Sequence, residues 1–385
     1  MNLKKRFSSS FLTLAVGPAL LALSACSTVG DAGDRQGAAA SSLGQGTAQA
    51  QAVTQKQNTT QEQNMNFPKG FQNFYKSDRV SIGRVSFRNP YGIEIVGNLV
   101  LPKSFDRTAS KAKAIVIGHP LGAVKEQSSM LYAQVLAEQG FATLAIDLPF
   151  WGESGGQPRQ AVEPTMYSDA FSSAVDYLSA QPFIDAKNIA VLGICASGGY
   201  VLDTVKIDPR IKAIATVAMV DMGTVTRGLV AEPKARADVL GQAAQQREVE
   251  FRGGAPRYTG GTVTKLKADT DALQREFYAF YRTPRGEFTP KGVSPKTTTM
   301  PVLSTNAKFI NFYPMNDLNT VSPRPMLFIT GDVAPSRVFS EAAYQAAAEP
   351  KELYYVKGAN HTDMYDNADR IPFGKLVGFY RQHLQ

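Results

Sequence analysis

Gly193-Ile194-Cys195-Ala196-Ser197-Gly198-Gly199 follows directly on the apolar run Ile189-Ala190-Val191-Leu192. An apolar run of this length reads as a buried strand, and a glycine-rich turn at its end allows an abrupt change of direction into a helix. A reactive side chain at the apex of such a strained turn needs small neighbours two residues away, because the backbone folds back close to it. Two registers meet this condition. Either Cys195 is the apex, flanked by Gly193 and Ser197, or Ser197 is, flanked by Cys195 and Gly199. The strand position favours Cys195, since the second register extends the strand through Gly193. Ser197 stands as the alternative nucleophile, with Cys195 then a packed core residue.

Outward from this turn, strand and helix patterns alternate. Val80 to Arg88 and Tyr91 to Leu101 read as an antiparallel pair about Asn89-Pro90. Ala114 to Gly118 is a short buried strand, followed by a helix from about Glu126 to Gly140 and a strand from Phe141 to Ile146. In the stretch Thr165 to Ala180, Tyr167, Ala170, Phe171, Ala174 and Leu178 form the apolar stripe of a helix lying on a sheet. Further strands are expected at Asn188 to Leu192, Ile211 to Met219, Met326 to Thr330 and Glu352 to Val356. The alternation predicts an α/β fold with a mostly parallel sheet covered by helices on both faces. It stops between about 221 and 323, a stretch too long for a bare loop, which is expected to form a helical cap insertion. The aromatics of the predicted helix Thr270 to Arg282 are expected to pack the cap rather than line a cleft.

The chain has three histidines. His383 is near the C-terminus and His119 sits at a strand end, where it reads as support for the following loop. His361, in Gly358-Ala359-Asn360-His361-Thr362-Asp363 after the last strand, is the sharper choice of general base. Asp332, in Gly331-Asp332-Val333-Ala334, is the carboxylate that follows the strand ending at Thr330. Asp363 reads as a helix cap and Asp147 as the residue that shapes the turn toward Trp151.

With these residues in view, the chain resembles an α/β-hydrolase of the dienelactone-hydrolase-like branch, some members of which carry cysteine at the nucleophile elbow. The resemblance rests on His119-Pro120-Leu121-Gly122, on Asp147 with Trp151-Gly152-Glu153-Ser154-Gly155-Gly156, on Gly193 to Gly199 and on Gly358-Ala359-Asn360-His361, in the family's order over residues 80 to 385. It implies an α/β-hydrolase fold with the chain order nucleophile, acid, histidine, and so Asp332 as the expected acid partner of His361. Many relatives place the acid two residues later, where this chain has Ala334. The backbone N–H groups of Leu121 and Ala196 are expected to form the oxyanion hole. A helix N-terminus and a nearby imidazole are expected to favour the Cys195 thiolate.

The N-terminal segment has a different character. Lys4, Lys5 and Arg6 precede an apolar run from Phe11 to Leu23, too short to span a bilayer as a helix, and then Leu23-Ser24-Ala25-Cys26. This resembles a bacterial lipoprotein signal: residues 1–25 are removed and Cys26 is acylated, with Ser27 directing the protein to the outer membrane, facing the periplasm. Residues 26–66, rich in Gln, Ala, Gly and Thr, read as a flexible tether for a folded domain over 67–385. Lipid on Cys26 leaves Cys195 as a lone thiol, since the sequence has two cysteines.

The formal charge of +8 includes the three basic residues of the signal, and the rest is scattered. Nucleic acid is therefore an unpromising partner. Neither a phosphate-binding Gly loop nor a zinc-spaced Cys/His pattern occurs, so no cofactor or metal is implied. The expected chemistry is hydrolysis of an ester, lactone or thioester through an acyl-enzyme on Cys195. The alternatives are a Ser197-dependent esterase or peptidase, or a tethered, non-catalytic binding protein of the same fold.

Overall fold

The computed structural model describes residues 65–385. The signal segment, Cys26 and nearly all of the expected tether lie outside the described residues.

Eight strands form one sheet in the order β1-β2-β4-β3-β5-β6-β7-β8. The first two, β1 (Val80–Arg88) and β2 (Glu94–Pro102), make the antiparallel pair, and β2 is also antiparallel to β4 (Ala142–Ile146). From β4 onward every pairing is parallel, through β3 (Ala112–Gly118), β5 (Ile184–Ile194), β6 (Ile211–Val217), β7 (Met326–Gly331) and β8 (Lys351–Val356). The central strands are buried nearly throughout, as strands covered on both faces must be; Ile115, Val116, Ile117, Val191, Leu192 and Ile214 are fully enclosed.

The covering helices are α1 (Ser128–Glu138), α2 (Pro164–Ser179) and α3 (Ser197–Val205), and after the insertion α8 (Arg337–Ala346), α9 (Asp363–Asp366) and α10 (Phe373–His383). The predicted stripe of α2 is the face it buries: Tyr167, Ala170, Phe171, Ala174 and Leu178 have no exposed surface. Between β6 and β7 the chain runs through α4 (Met222–Leu229), α5 (Pro233–Phe251), α6 (Ala272–Tyr281) and α7 (Leu303–Asn306), with short 3-10 turns after α7. Asp221 starts α4 by accepting from the N–H groups of Gly223 and Thr224, and Asp271 starts α6 by accepting from Gln274 N–H. Among the described residues no helix is long and apolar enough to cross a membrane.

Register decides what meets at the sheet's C-terminal edge. Gly118, the last residue of β3, is paired with Gly193 of β5, and Ile194 with Val217 of β6. The loops that leave β3, β5 and β6 therefore emerge side by side at one level, where ligands bind in open α/β sheets.

Candidate active site

The backbone at the end of β5 turns most sharply at Cys195. Cys195 has φ +54°, in the left-handed region that a side chain rarely adopts, and α3 begins two residues later at Ser197. The conformation is over-determined. Cys195 N–H donates to Val217 O at 3.0 Å, while Cys195 O accepts from Gly198 N–H and Val220 N–H, both at 2.9 Å. A side chain at Gly193 would put its Cβ 2.4 Å from Ser197 O, and one at Gly198 would put it 2.4 Å from the Met219 Cβ. These glycines let the strand fold back against its own helix.

Ser197 is fully buried in the first turn of α3, and its hydroxyl donates to His119 O at 2.5 Å. It packs so tightly beneath β3 that a Cβ on Gly118 would lie 2.7 Å from its Oγ. The alternative register thus has its hydroxyl proton committed to a carbonyl and no exposed face.

The Cys195 sulfur faces two backbone N–H groups, Ala196 on the elbow and Leu121 on the loop after β3, together with the hydroxyl of Tyr365. Burial pushes the thiol above its ordinary range, and these three donors only partly oppose the shift. The expected thiolate is therefore corrected. Loss of hydration outweighs the three donors and favours the thiol over the thiolate.

The loop carrying Leu121 is braced by charge. Lys125 is completely buried, and its Nζ donates to Asp147 at 2.9 Å, to Glu153 at 2.6 Å and to Glu126. The Asp147 carboxylate also accepts from the backbone N–H groups of Lys125 and Glu153, each at 2.8 Å. These three carboxylates are close enough together to hold a cation, and the Lys125 ammonium is the cation among them. His119 supports the same region: its Nδ1 edge meets Pro120 O at 2.7 Å and its Nε2 accepts from Leu148 N–H at 3.1 Å. Burial lowers its pKa to about 4, so it is a neutral structural histidine.

His361 follows β8 and is fully enclosed, with its pKa lowered by burial to about 4. Its Nδ1 lies 2.6 Å from Ser336 Oγ and its Nε2 lies 2.9 Å from the Tyr365 hydroxyl. Asp332 is not its partner. That carboxylate accepts from Gly358 N–H at 2.7 Å, tying the end of β7 to the turn after β8. The chain then runs through Val333, Ala334 and Pro335 before Ser336, at the start of α8, reaches the imidazole. Ser336 and Tyr365 are the site residues that sequence reasoning missed. Tyr365 carried a usable signal, since a residue four places after the histidine shares its face once one helical turn forms.

The insertion closes over this group. Phe277 of α6 packs edge-on against His361 with ring centroids 5.6 Å apart, and Phe280 packs against Tyr365 at 5.1 Å. The α6 aromatics do pack, as expected, but what they pack against is the histidine loop. Tyr281 is buried beside Cys195 and Tyr365, and its hydroxyl has no hydrogen-bond partner among the described residues. Arg285 donates to the buried Asp366 carboxylate at 2.6 Å and to Thr362 O at 3.0 Å, which latches the insertion to the loop carrying His361.

Residues 115–371 match the Alpha/beta hydrolase family. This chain belongs to that family. As a member of the α/β-hydrolases it is similar to the protein PA2218 of Pseudomonas aeruginosa, with 43% identity over 81% of this chain and 84% of that protein. The crystal structure of PA2218 superimposes with a TM-score of 0.75, at 41% identity, covering 83% of this chain and all of the other. YcjY of Escherichia coli is 32% identical over 74% of this chain and 92% of its own length. The thiohydrolase aneE of Aspergillus aculeatus is 27% identical over 74% of this chain and 88% of its own. Among α/β-hydrolases the eight-stranded, mostly parallel sheet with its functional loops at one edge is the shared scaffold, and specificity resides in what the loops and insertion add.

Proposed function

We propose that this α/β-hydrolase cleaves a thioester, ester or lactone by forming a covalent acyl-enzyme on Cys195. The observation that carries the reading is the strained turn at Cys195, which presents sulfur beside the N–H groups of Leu121 and Ala196. A carbonyl carbon brought to the sulfur has its oxygen within reach of those donors, which stabilise the oxyanion as it develops. His361, neutral around pH 7, is the base that accepts the thiol proton and returns it to the leaving group. Ser336 fixes the plane of the imidazole from its other edge.

Thioesters fit the nucleophile best. Attack on a thioester exchanges one thiolate leaving group for another, whereas attack on an unactivated amide must expel a much poorer leaving group and tends to revert. The thiohydrolase relative supports this substrate class. The chain is further proposed to work at a membrane surface, held through lipid on Cys26 by the segment up to residue 66 in the periplasm; a lipid label lost in Cys26→Ser tests this.

The catalytic reading is tested by hydrolysis of a short acyl thioester and a p-nitrophenyl ester by the full-length chain, with mass spectrometry of the trapped enzyme. Cys195→Ala and His361→Ala are expected to abolish turnover, and the acyl mass to sit on the peptide holding Cys195. Full activity in Cys195→Ala overturns the assignment. Absence of any turnover of activated acyl substrates favours a non-catalytic binding protein.

A further inference from the structure

The two ring nitrogens of His361 are engaged by Ser336 and Tyr365, and among the described residues neither is hydrogen-bonded to Cys195. Tyr365 neighbours both: its hydroxyl is 2.9 Å from His361 Nε2 and has the Cys195 thiol and the Tyr281 hydroxyl as its other polar neighbours. The phenol has little freedom to leave this place. Tyr365 is 1% exposed and packed edge-on against Phe280, Tyr281 and His361, with ring centroids 5.1, 6.2 and 5.2 Å apart. Its backbone belongs to the single turn α9, where Tyr365 N–H donates to Thr362 O at 3.0 Å and Met364 O accepts from Tyr132 at 2.6 Å. The neutral imidazole has one N–H. With that proton on Nδ1 it donates to Ser336 Oγ, and the Nε2 lone pair is left to accept from the tyrosine.

We propose that Tyr365 is a catalytic residue of this site, carrying the thiol proton from Cys195 to His361 through its phenolic oxygen. The inference rests on the acyl-enzyme reading given above. As sulfur attacks the acyl carbon, the S–H proton passes to the phenolic oxygen while the phenolic proton passes to His361 Nε2. The C–S bond forms, and the carbonyl π pair moves onto oxygen beside Leu121 and Ala196. Collapse breaks the bond to the leaving oxygen or sulfur, which receives a proton by the same two transfers in reverse. Water then attacks the acyl-enzyme, gives its proton to the same pair, and expels the Cys195 thiol. Tyr365 never becomes a free phenolate, because each proton gained is matched by one lost. Burial, which opposes a charged phenolate strongly, is therefore no obstacle to the transfer.

The test is pre-steady-state acylation of the full-length enzyme by a p-nitrophenyl ester in mixtures of light and heavy water. Two protons in flight predict a bowed dependence of the acylation rate on deuterium fraction in the native enzyme. In Tyr365→Phe, which keeps the ring packing, acylation is expected to slow at least about 100-fold and its dependence to become linear. A linear dependence in the native enzyme, or acylation in Tyr365→Phe within about threefold of native, overturns the relay. The native measurement decides the matter even if the variant folds poorly. If Cys195 acquires no acyl group, the acyl-enzyme reading and the relay fall together; if it does and the native dependence is linear, the relay alone is lost.

Discussion

Ser336 Oγ meets His361 Nδ1 at 2.6 Å and occupies the position from which a carboxylate orients the histidine in a Ser-His-Asp triad. A neutral hydroxyl fixes the ring but does not stabilise a positive charge on it. Burial keeps His361 neutral, and under the proposed mechanism the imidazolium would have no carboxylate to compensate it. Ser336→Ala is expected to lower kcat by about 10- to 100-fold with little change in KM, since it removes orientation and not substrate contacts. Ser336→Asp should move the acid limb of the pH–rate profile upward, because a carboxylate there favours the protonated ring. A profile unchanged in both variants would mean that Ser336 does not control the base.

Burial pushes the Cys195 thiol above its ordinary range, so its reaction with iodoacetamide should be slow at pH 7 and accelerate only toward alkaline pH. A thiolate–imidazolium pair behaves differently, alkylating at a rate nearly constant down to pH 5. Alkylation rates between pH 5 and 10 distinguish the two, and a plateau below pH 7 would show the thiolate to be preformed.

Both His119 and His361 are held near pKa 4 by burial, against an ordinary value of 6.5. The unfolded chain takes up these protons first on acidification, so the stability associated with each neutral ring is complete above pH 6.5 and is lost as the pH falls toward 4. Each histidine accounts for at most about 3 kcal/mol over that window. Denaturant unfolding at pH 7 and pH 4.5 should show the loss, and His119→Asn should reduce its slope with pH.

The elbow has no room for side chains. Gly193→Ala drives a methyl to 2.4 Å from Ser197 O, and Gly118→Ala drives one to 2.3 Å from the Phe171 ring. Backbone cannot yield at Gly193 without moving Cys195, so that variant is expected to lose about 1–3 kcal/mol and essentially all activity. Gly118 meets mainly side chains and should retain more of both. Thermal unfolding and thioester hydrolysis on the two variants check the order.

The sequence by itself determined the scaffold. Local apolar runs and their spacing located the strands of the sheet and the α2 stripe, because strand burial and helix periodicity are properties of short segments. It also narrowed the apex to Cys195 or Ser197, since the glycines that permit a strained turn are written next to it. What separates the two in the structure is tertiary: Ser197 donates to His119 O, a carbonyl 78 residues earlier, which β3–β5 register brings alongside. The partners of His361 were decided in the same way. Asp332 lies where a carboxylate belongs in chain order, yet the path after β7 ties it to Gly358 and delivers Ser336 to the imidazole. The state of the thiol was beyond sequence too, because it depends on how much water the insertion excludes, and that is set by Phe277, Phe280 and Tyr281 packing across the loops from outside the sheet.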